Sequence, residues 1–60
     1  MISNFQILMQ KGNYNQLLES LEKTHIQNEK DLECLFFLGR VHYQLNNPKE
    51  SLFFLKNIIN

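Results

Sequence analysis

Two short breaks divide the sequence into stretches that have helical periodicity. Gly12-Asn13 interrupts the first half, and Asn46-Asn47-Pro48 interrupts the second half. Glycine and asparagine commonly end helices, whereas Asn47 followed by Pro48 is a good N-cap and first helical residue. Connections this short join neighbouring antiparallel helices. The sequence therefore predicts two helical hairpins.

Apolar residues between the breaks recur with the helical period of about 3.6 residues. The clearest stripe lies in the second half and consists of Leu35, Leu38, Val41, His42 and Leu45. No stretch alternates apolar and polar residues over the length of a strand. We therefore expect an all-α fold of four helices in one domain, residues 1–60. The expected helices cover about 3–11, 14–25, 30–45 and 48–59.

Composition excludes several classes of protein. Hydrophobic residues make up 43% of the chain, which is too high for a disordered protein. Six basic and six acidic residues give a net charge of zero, without the basic stripe of a nucleic-acid binder. The apolar runs are far shorter than the roughly 20 residues that span a bilayer. A single cysteine and the lack of a signal-peptide pattern favour a soluble, intracellular protein, cytoplasmic or nuclear.

The two halves align without a gap when one is shifted by 34 residues along the other. Gly12 falls on Asn46, Leu18 falls on Leu52, and Leu21 falls on Leu55. In the second half, Leu35-x2-Leu38-Gly39-x2-His42 is followed by a small residue, Ser51, and a large one, Leu55. This pattern resembles a pair of tetratricopeptide repeats (TPR), with a degenerate first repeat at 1–29 and a truncated second repeat at 30–60.

Gly39 needs a structural reason, since glycine inside a helix costs about 1 kcal/mol relative to alanine. The small Ser51 side chain supplies that reason, because two small residues allow the paired helices to approach closely. We therefore predict a close contact between the third and fourth helices at this pair.

The resemblance implies a concave groove lined by the first helix of each repeat, in which TPR proteins hold peptides or helices. Aromatic and arginine side chains are enriched at binding hot spots, and the implied groove contains several of them. An aromatic stripe on a helix is also a common core pattern, so the same residues have two interpretations. The implied groove residues are Phe36, Phe37, Arg40, Tyr43, Gln44 and Met9.

The last helix carries more apolar residues than its own hairpin can cover. We expect Leu55, Ile58 and one of Leu52 or Ile59 to be hidden, and Phe53 and Phe54 to point outwards. A helical repeat normally buries such a face on a neighbour. The residues Leu52, Phe53, Phe54 and Ile59 form a second candidate partner-binding surface; the alternative interpretation is that both phenylalanines fold over their own hairpin.

Catalytic and metal-binding patterns are lacking in the sequence. His25 and His42 stand in different hairpins without metal-ligand spacing, and Cys34 has no residues around it that would activate a thiol. We expect His42 to pack beside Tyr43, and Cys34 to be a quiet, partly buried thiol. The expectation is therefore no enzyme, no metal and no cofactor.

These patterns favour a protein–protein interaction module, such as a scaffold, an adaptor or a complex subunit. Its partner would be another protein or a second copy of the chain; nucleic acid, membrane and small-molecule substrates are not expected. The alternative is a self-associating structural helical bundle with no separate ligand.

Overall fold

A computed structural model describes residues 3–59, which form four helices joined by short connections. The all-α fold class is therefore confirmed, and the described residues include no strand. The helices are α1 (Asn4–Lys11), α2 (Tyr14–Gln27), α3 (Leu32–Gln44) and α4 (Pro48–Ile59).

Local sequence explains where the first hairpin begins and turns. The Ser3 hydroxyl accepts a hydrogen bond from the Gln6 N–H at 3.2 Å and caps α1. Gly12 then adopts a left-handed backbone, φ 75°, and its N–H donates to carbonyls in the last turn. A side chain is strained in this conformation, so glycine is suited to the position. The predicted break at Gly12-Asn13 thus corresponds to a helix C-cap.

The third helix begins two residues later than the sequence pattern predicts. Asp31 is its N-cap, and one of its carboxylate oxygens accepts from the Cys34 N–H at 3.0 Å. Just before it, the Asn28 side chain accepts from the Lys30 N–H at 3.2 Å. These local bonds hold the backbone in a turn, so Lys30 lies outside the helix.

The core lies between the two hairpins and is built from one face of each of the first three helices. Leu17, Leu21 and Val41 are fully inaccessible to solvent. A pair of phenylalanines, Phe5 on α1 and Phe37 on α3, brings these two helices together with ring centroids 5.9 Å apart. The buried cluster consists of Leu8, Leu17, Leu21, Cys34, Phe37, Leu38 and Val41.

Helices α3 and α4 approach closely at the pair that the sequence indicates. The Ser51 hydroxyl donates a buried hydrogen bond of 2.7 Å to the Gly39 carbonyl. A Cβ atom placed on Gly39 would lie 2.6 Å from the Cγ and Cδ2 atoms of Leu55. Glycine at this position therefore allows the α4 side chains to sit directly against the α3 backbone, as predicted.

Gly39→Ala is expected to destabilise the fold although alanine is the better helix former. The gain in helix propensity is about 1 kcal/mol, whereas crowding in a packed contact costs about 1–3 kcal/mol. Leu55→Ala removes the atoms that the new methyl group meets. We expect Gly39→Ala to lower the free energy of unfolding by about 1 kcal/mol in the wild type and to be neutral or stabilising beside Leu55→Ala. Urea denaturation of the four chains tests this coupling, and equal effects in both backgrounds would contradict it.

Candidate functional site

The Gly39–Ser51 contact fixes which side chains of α3 and α4 share a face. Each residue turns about 100° around a helix, so angles can be counted from this contact on both helices. Because the two helices run antiparallel, equal rotations from the contact lead to the same side of the pair. His42 and Phe54 each lie at about −60° by this count, and their rings stack with centroids 5.5 Å apart.

On the opposite, positive side of the pair lies a set of exposed apolar residues. The members of this set on α3 lie about 20–60° from the Gly39–Ser51 contact, and those on α4 lie about 80–100° from it. They are Leu32 (61% exposed), Phe36 (44%), Tyr43 (70%), Leu52 (56%) and Ile59 (85%). The half-buried Leu55 lies between the two rows. We call these five residues, together with Leu55, the outer face.

The predicted groove lies between α1 and α3 and encloses about 290 Å³. Arg40 is exposed and its guanidinium carbon lies 5.6 Å from the Phe36 ring centroid, within the range of a cation–π contact. Phe37 is only 7% exposed and forms the floor of the groove, where it packs on Phe5. The lining residues are Gln6, Met9, Gln10, Phe36, Phe37 and Arg40.

The remaining groove residues are brought together only in part. Met9 is half-buried and packs against the core while it lines the groove. Tyr43 is exposed on the outer face, and Gln44 is exposed at the end of α3; neither lines the groove cavity. Of the residues predicted to line the groove, Phe37 therefore belongs mainly to the core, and Tyr43 belongs to the outer face. Phe36, Arg40 and Met9 do line the groove.

Two expectations for the last helix were wrong. Phe54 does not point outwards: it is half-buried, stacks on His42 and meets the edge of His25 at a centroid distance of 5.6 Å. Leu52 and Ile59 are both exposed, whereas one of them was expected to be hidden. His42 consequently packs on Phe54 and not beside Tyr43, which is 70% exposed.

Phe53 projects outwards, as expected, with 61% of its surface exposed. It does not belong to the outer face, since it lies at about 200° from the Gly39–Ser51 contact. Phe53 instead lines an open cleft of about 670 Å³ at the end of the molecule, together with His25 and Leu32. The His25 Nδ1 atom is buried beside this cleft and has no hydrogen-bond partner among the described residues.

Sequence reasoning missed the α3 half of the outer face. Phe36 and Tyr43 were assigned to the groove alone, and Leu32 was not singled out. For Tyr43, the signal was available in the 34-residue offset, which places Tyr43 on Met9 and its α4 neighbour Leu52 on Leu18. Met9 and Leu18 both pack against the core cluster. Their counterparts in the second hairpin therefore belong together as a second packing face.

Cys34 is enclosed more completely than the sequence suggested. Its side chain is 0% exposed, and the Sγ atom donates to the Leu21 carbonyl at 3.2 Å. Burial raises the pKa of the Cys34 thiol, and the carboxylates of Asp31 and Glu33 raise it further. Since the folded chain holds the thiol proton more tightly, this group favours folding below the ordinary thiol pKa, and that contribution is lost as pH rises above it.

Cys34 is expected to resist thiol reagents in the folded chain. The thiolate is the reactive form, and both its raised pKa and its enclosure suppress attack. We expect labelling at neutral pH to be at least about 100-fold slower than in urea, since it requires opening of the core. A Cys34→Ala chain carrying Ile26→Cys at an 80% exposed position serves as the control. Equal labelling rates for Cys34 with and without urea would contradict the burial.

The described residues carry few features of other functional classes. Among residues 3–59, no group of three or more potential metal-binding side chains comes together. None of the helices in that range is long and apolar enough to cross a membrane. Comparison of the chain with protein-family models, curated proteins and solved structures finds no match.

Proposed function

We propose that this chain is a TPR-like protein–protein interaction module, a scaffold, adaptor or complex subunit. The observation that carries the proposal is the outer face, where five large apolar side chains between 44% and 85% exposed lie on one side of a single hairpin. Clusters of this kind mark interaction sites more often than isolated exposed residues do.

The relation between the two hairpins supports the repeat interpretation. A 34-residue offset superimposes the Gly12 and Asn46 breaks. Both residues have positive φ angles, 75° for Gly12 and 63° for Asn46. The same left-handed turn therefore ends α1 and α3. The Gly39–Ser51 contact adds a small-residue pair at the position that the TPR pattern assigns to one.

The groove beside the outer face favours a partner that offers a peptide or helix. Phe36 and Arg40 form an exposed cation–π pair, and both line the groove between α1 and α3. Aromatic and arginine side chains commonly dominate binding energy at protein interfaces. Phe36 also belongs to the outer face, so the two surfaces are continuous at this residue.

No catalytic step forms part of the proposal. The Cys34 thiol is enclosed and donates to a backbone carbonyl, so it is not presented to a substrate. His25 and His42 both pack against the Phe54 ring. The outer face provides apolar contact area.

Quantitative capture from cell extract tests the proposal. The bait is the whole chain, compared with a variant carrying Phe36→Gln, Arg40→Gln and Tyr43→Gln. All three residues are exposed, so the substitutions are expected to leave the helix content unchanged. Loss of a hot-spot cluster weakens binding by about 10-fold or more. Ile26→Gln, at an 80% exposed site on α2, is the matched control and should capture like the wild type.

The expected result is at least one protein that the wild type and the Ile26 variant enrich and the triple variant does not. Equal capture by all three chains would count against an interaction module that uses this surface. If the triple variant loses its helical circular dichroism while the helix content of the wild type is independent of concentration, the three side chains belong to the core and the surface assignment fails.

A further inference from the structure

We infer that the outer face pairs with the same face of a second copy of the chain, so that two copies form a closed, twofold-symmetric dimer. This inference rests on the proposed function, because both require the outer face to be covered by protein. It goes further by identifying the occupant and the symmetry of the contact.

The first hairpin shows what such a face does when it is covered. In the 34-residue offset, Tyr43, Leu52 and Leu55 correspond to Met9, Leu18 and Leu21. Leu21 is fully buried, and Met9 and Leu18 pack on the core cluster that includes α3. The second hairpin therefore covers this face of the first. The equivalent face of the second hairpin has no cover within residues 3–59.

The two ends of the stacked hairpins differ in polarity. The α3 and α4 residues that cover the first hairpin include Leu38 and Phe54. At the same offset in the first hairpin stand Asn4 and Ser20. Ile7 is the apolar exception there, at 38% exposed. Among residues 3–59, that end is therefore mostly polar, like the terminal repeat of a helical solenoid, whereas the outer face is apolar.

This difference in polarity between the two ends favours a twofold arrangement of two copies over head-to-tail stacking. Head-to-tail stacking would place the polar end of one copy on the apolar outer face of the next. Self-pairing of the outer face instead brings apolar side chains together on both sides, which is the self-complementary arrangement of a twofold dimer. A net charge of zero means that two copies do not repel each other as wholes.

The outer face supplies most of the area that a dimer of ordinary size needs. If each of these side chains offers about 200 Å² when fully exposed, the five leave about 600 Å² accessible. A stable interface needs about 800 Å² from each partner. Flanking residues of α3 and α4, among them the aliphatic stems of Arg40 and Lys56, would supply the remainder.

Mass measurement by analytical ultracentrifugation over about 1–100 µM tests the dimer, since an interface at the low end of the standard size is expected to be weak. Helical circular dichroism is recorded on the same samples. We expect the mass to rise from that of one 7.2 kDa chain to that of two chains and to stop there. A monomer at every concentration would overturn the inference, as would a chain that stays unfolded. Growth beyond two copies would overturn the twofold symmetry.

Matched arginine substitutions place the contact on the molecule. Ile59→Arg lies on the outer face at 85% exposed, and Ile26→Arg lies off it at 80% exposed. Both sites are in the last turn of a helix. A charge on a buried apolar contact is expected to weaken the dimer by about 100-fold, and Ile26→Arg should leave it unchanged. Equal dimerisation of the two variants would exclude the outer face.

The combined results separate the two proposals. A folded monomer that still captures a protein through the outer face overturns the dimer and retains the interaction module. A folded monomer with no such capture overturns both. If Ile59→Arg loses helix content, the wild-type series decides: helix content that rises together with mass supports the dimer, and helix content independent of concentration contradicts it.

Discussion

Leu21→Ala is expected to leave the chain largely unfolded at 25 °C. The Leu21 side chain is fully buried between the hairpins, and its carbonyl accepts the Cys34 thiol. Truncating a buried leucine costs about 2–5 kcal/mol because the cavity collapses only partly. The single core of a chain of this size rarely supplies more than about 3–5 kcal/mol of stability. The substitution therefore removes most of the stability.

Far-ultraviolet circular dichroism with thermal and urea unfolding measures this effect. Ile26→Ala is the control, because it truncates another aliphatic side chain on α2 that is 80% exposed. It should change the free energy of unfolding by less than about 0.5 kcal/mol. A Leu21→Ala chain as stable as the Ile26→Ala chain would show that the hairpins do not pack through Leu21.

Phe54→Ala is expected to produce the second largest loss, about 2–4 kcal/mol, somewhat below the range for a fully buried phenylalanine. The Phe54 ring stacks on His42 within its own hairpin, and it meets the edge of His25 on α2. Aromatic contacts of these geometries contribute beyond the area they bury. Removing the ring therefore weakens the second hairpin and its attachment to the first.

Phe53→Ala is the matched comparison, because it removes the same side chain from the next position of α4. Phe53 is 61% exposed and loses mainly its edge contact with Phe54, where the centroids lie 5.3 Å apart. We expect a loss below about 1 kcal/mol in the same urea titration. A larger effect at Phe53 than at Phe54 would mean that the two rings exchange their positions in solution.

Much of the fold could be predicted from the sequence, because backbone signals and periodicity act locally. The Gly12 turn, the start of α4 at Pro48 and the close Gly39–Ser51 contact all follow from a few neighbouring residues. The start of α3 was predicted at about Lys30, two residues too early, because periodicity does not locate a helix end. Side-chain hydrogen bonds of Asn28 and Asp31 decided it.

The surfaces were harder to predict, because exposure depends on where the hairpins contact each other. Phe36 and Phe37 are adjacent phenylalanines, yet one is 44% exposed and the other 7%. The difference comes from Phe5, which reaches Phe37 from a helix far away in sequence. Phe54 was misplaced for the same reason: its partner His25 lies in the other hairpin. A periodic pattern predicts which face of a helix is apolar, but not which other helix contacts that face.

Packing between consecutive helices has a consequence for the rate of folding. The extensive contacts join α1 to α2, α2 to α3 and α3 to α4. Most of the loops that these contacts close are therefore short. Topologies with such local contacts fold within microseconds to milliseconds. Each helix can also dock as soon as it follows its predecessor out of the ribosome. The phenylalanines of the core, among them Phe37 and Phe54, are thus exposed to aggregation only briefly during synthesis.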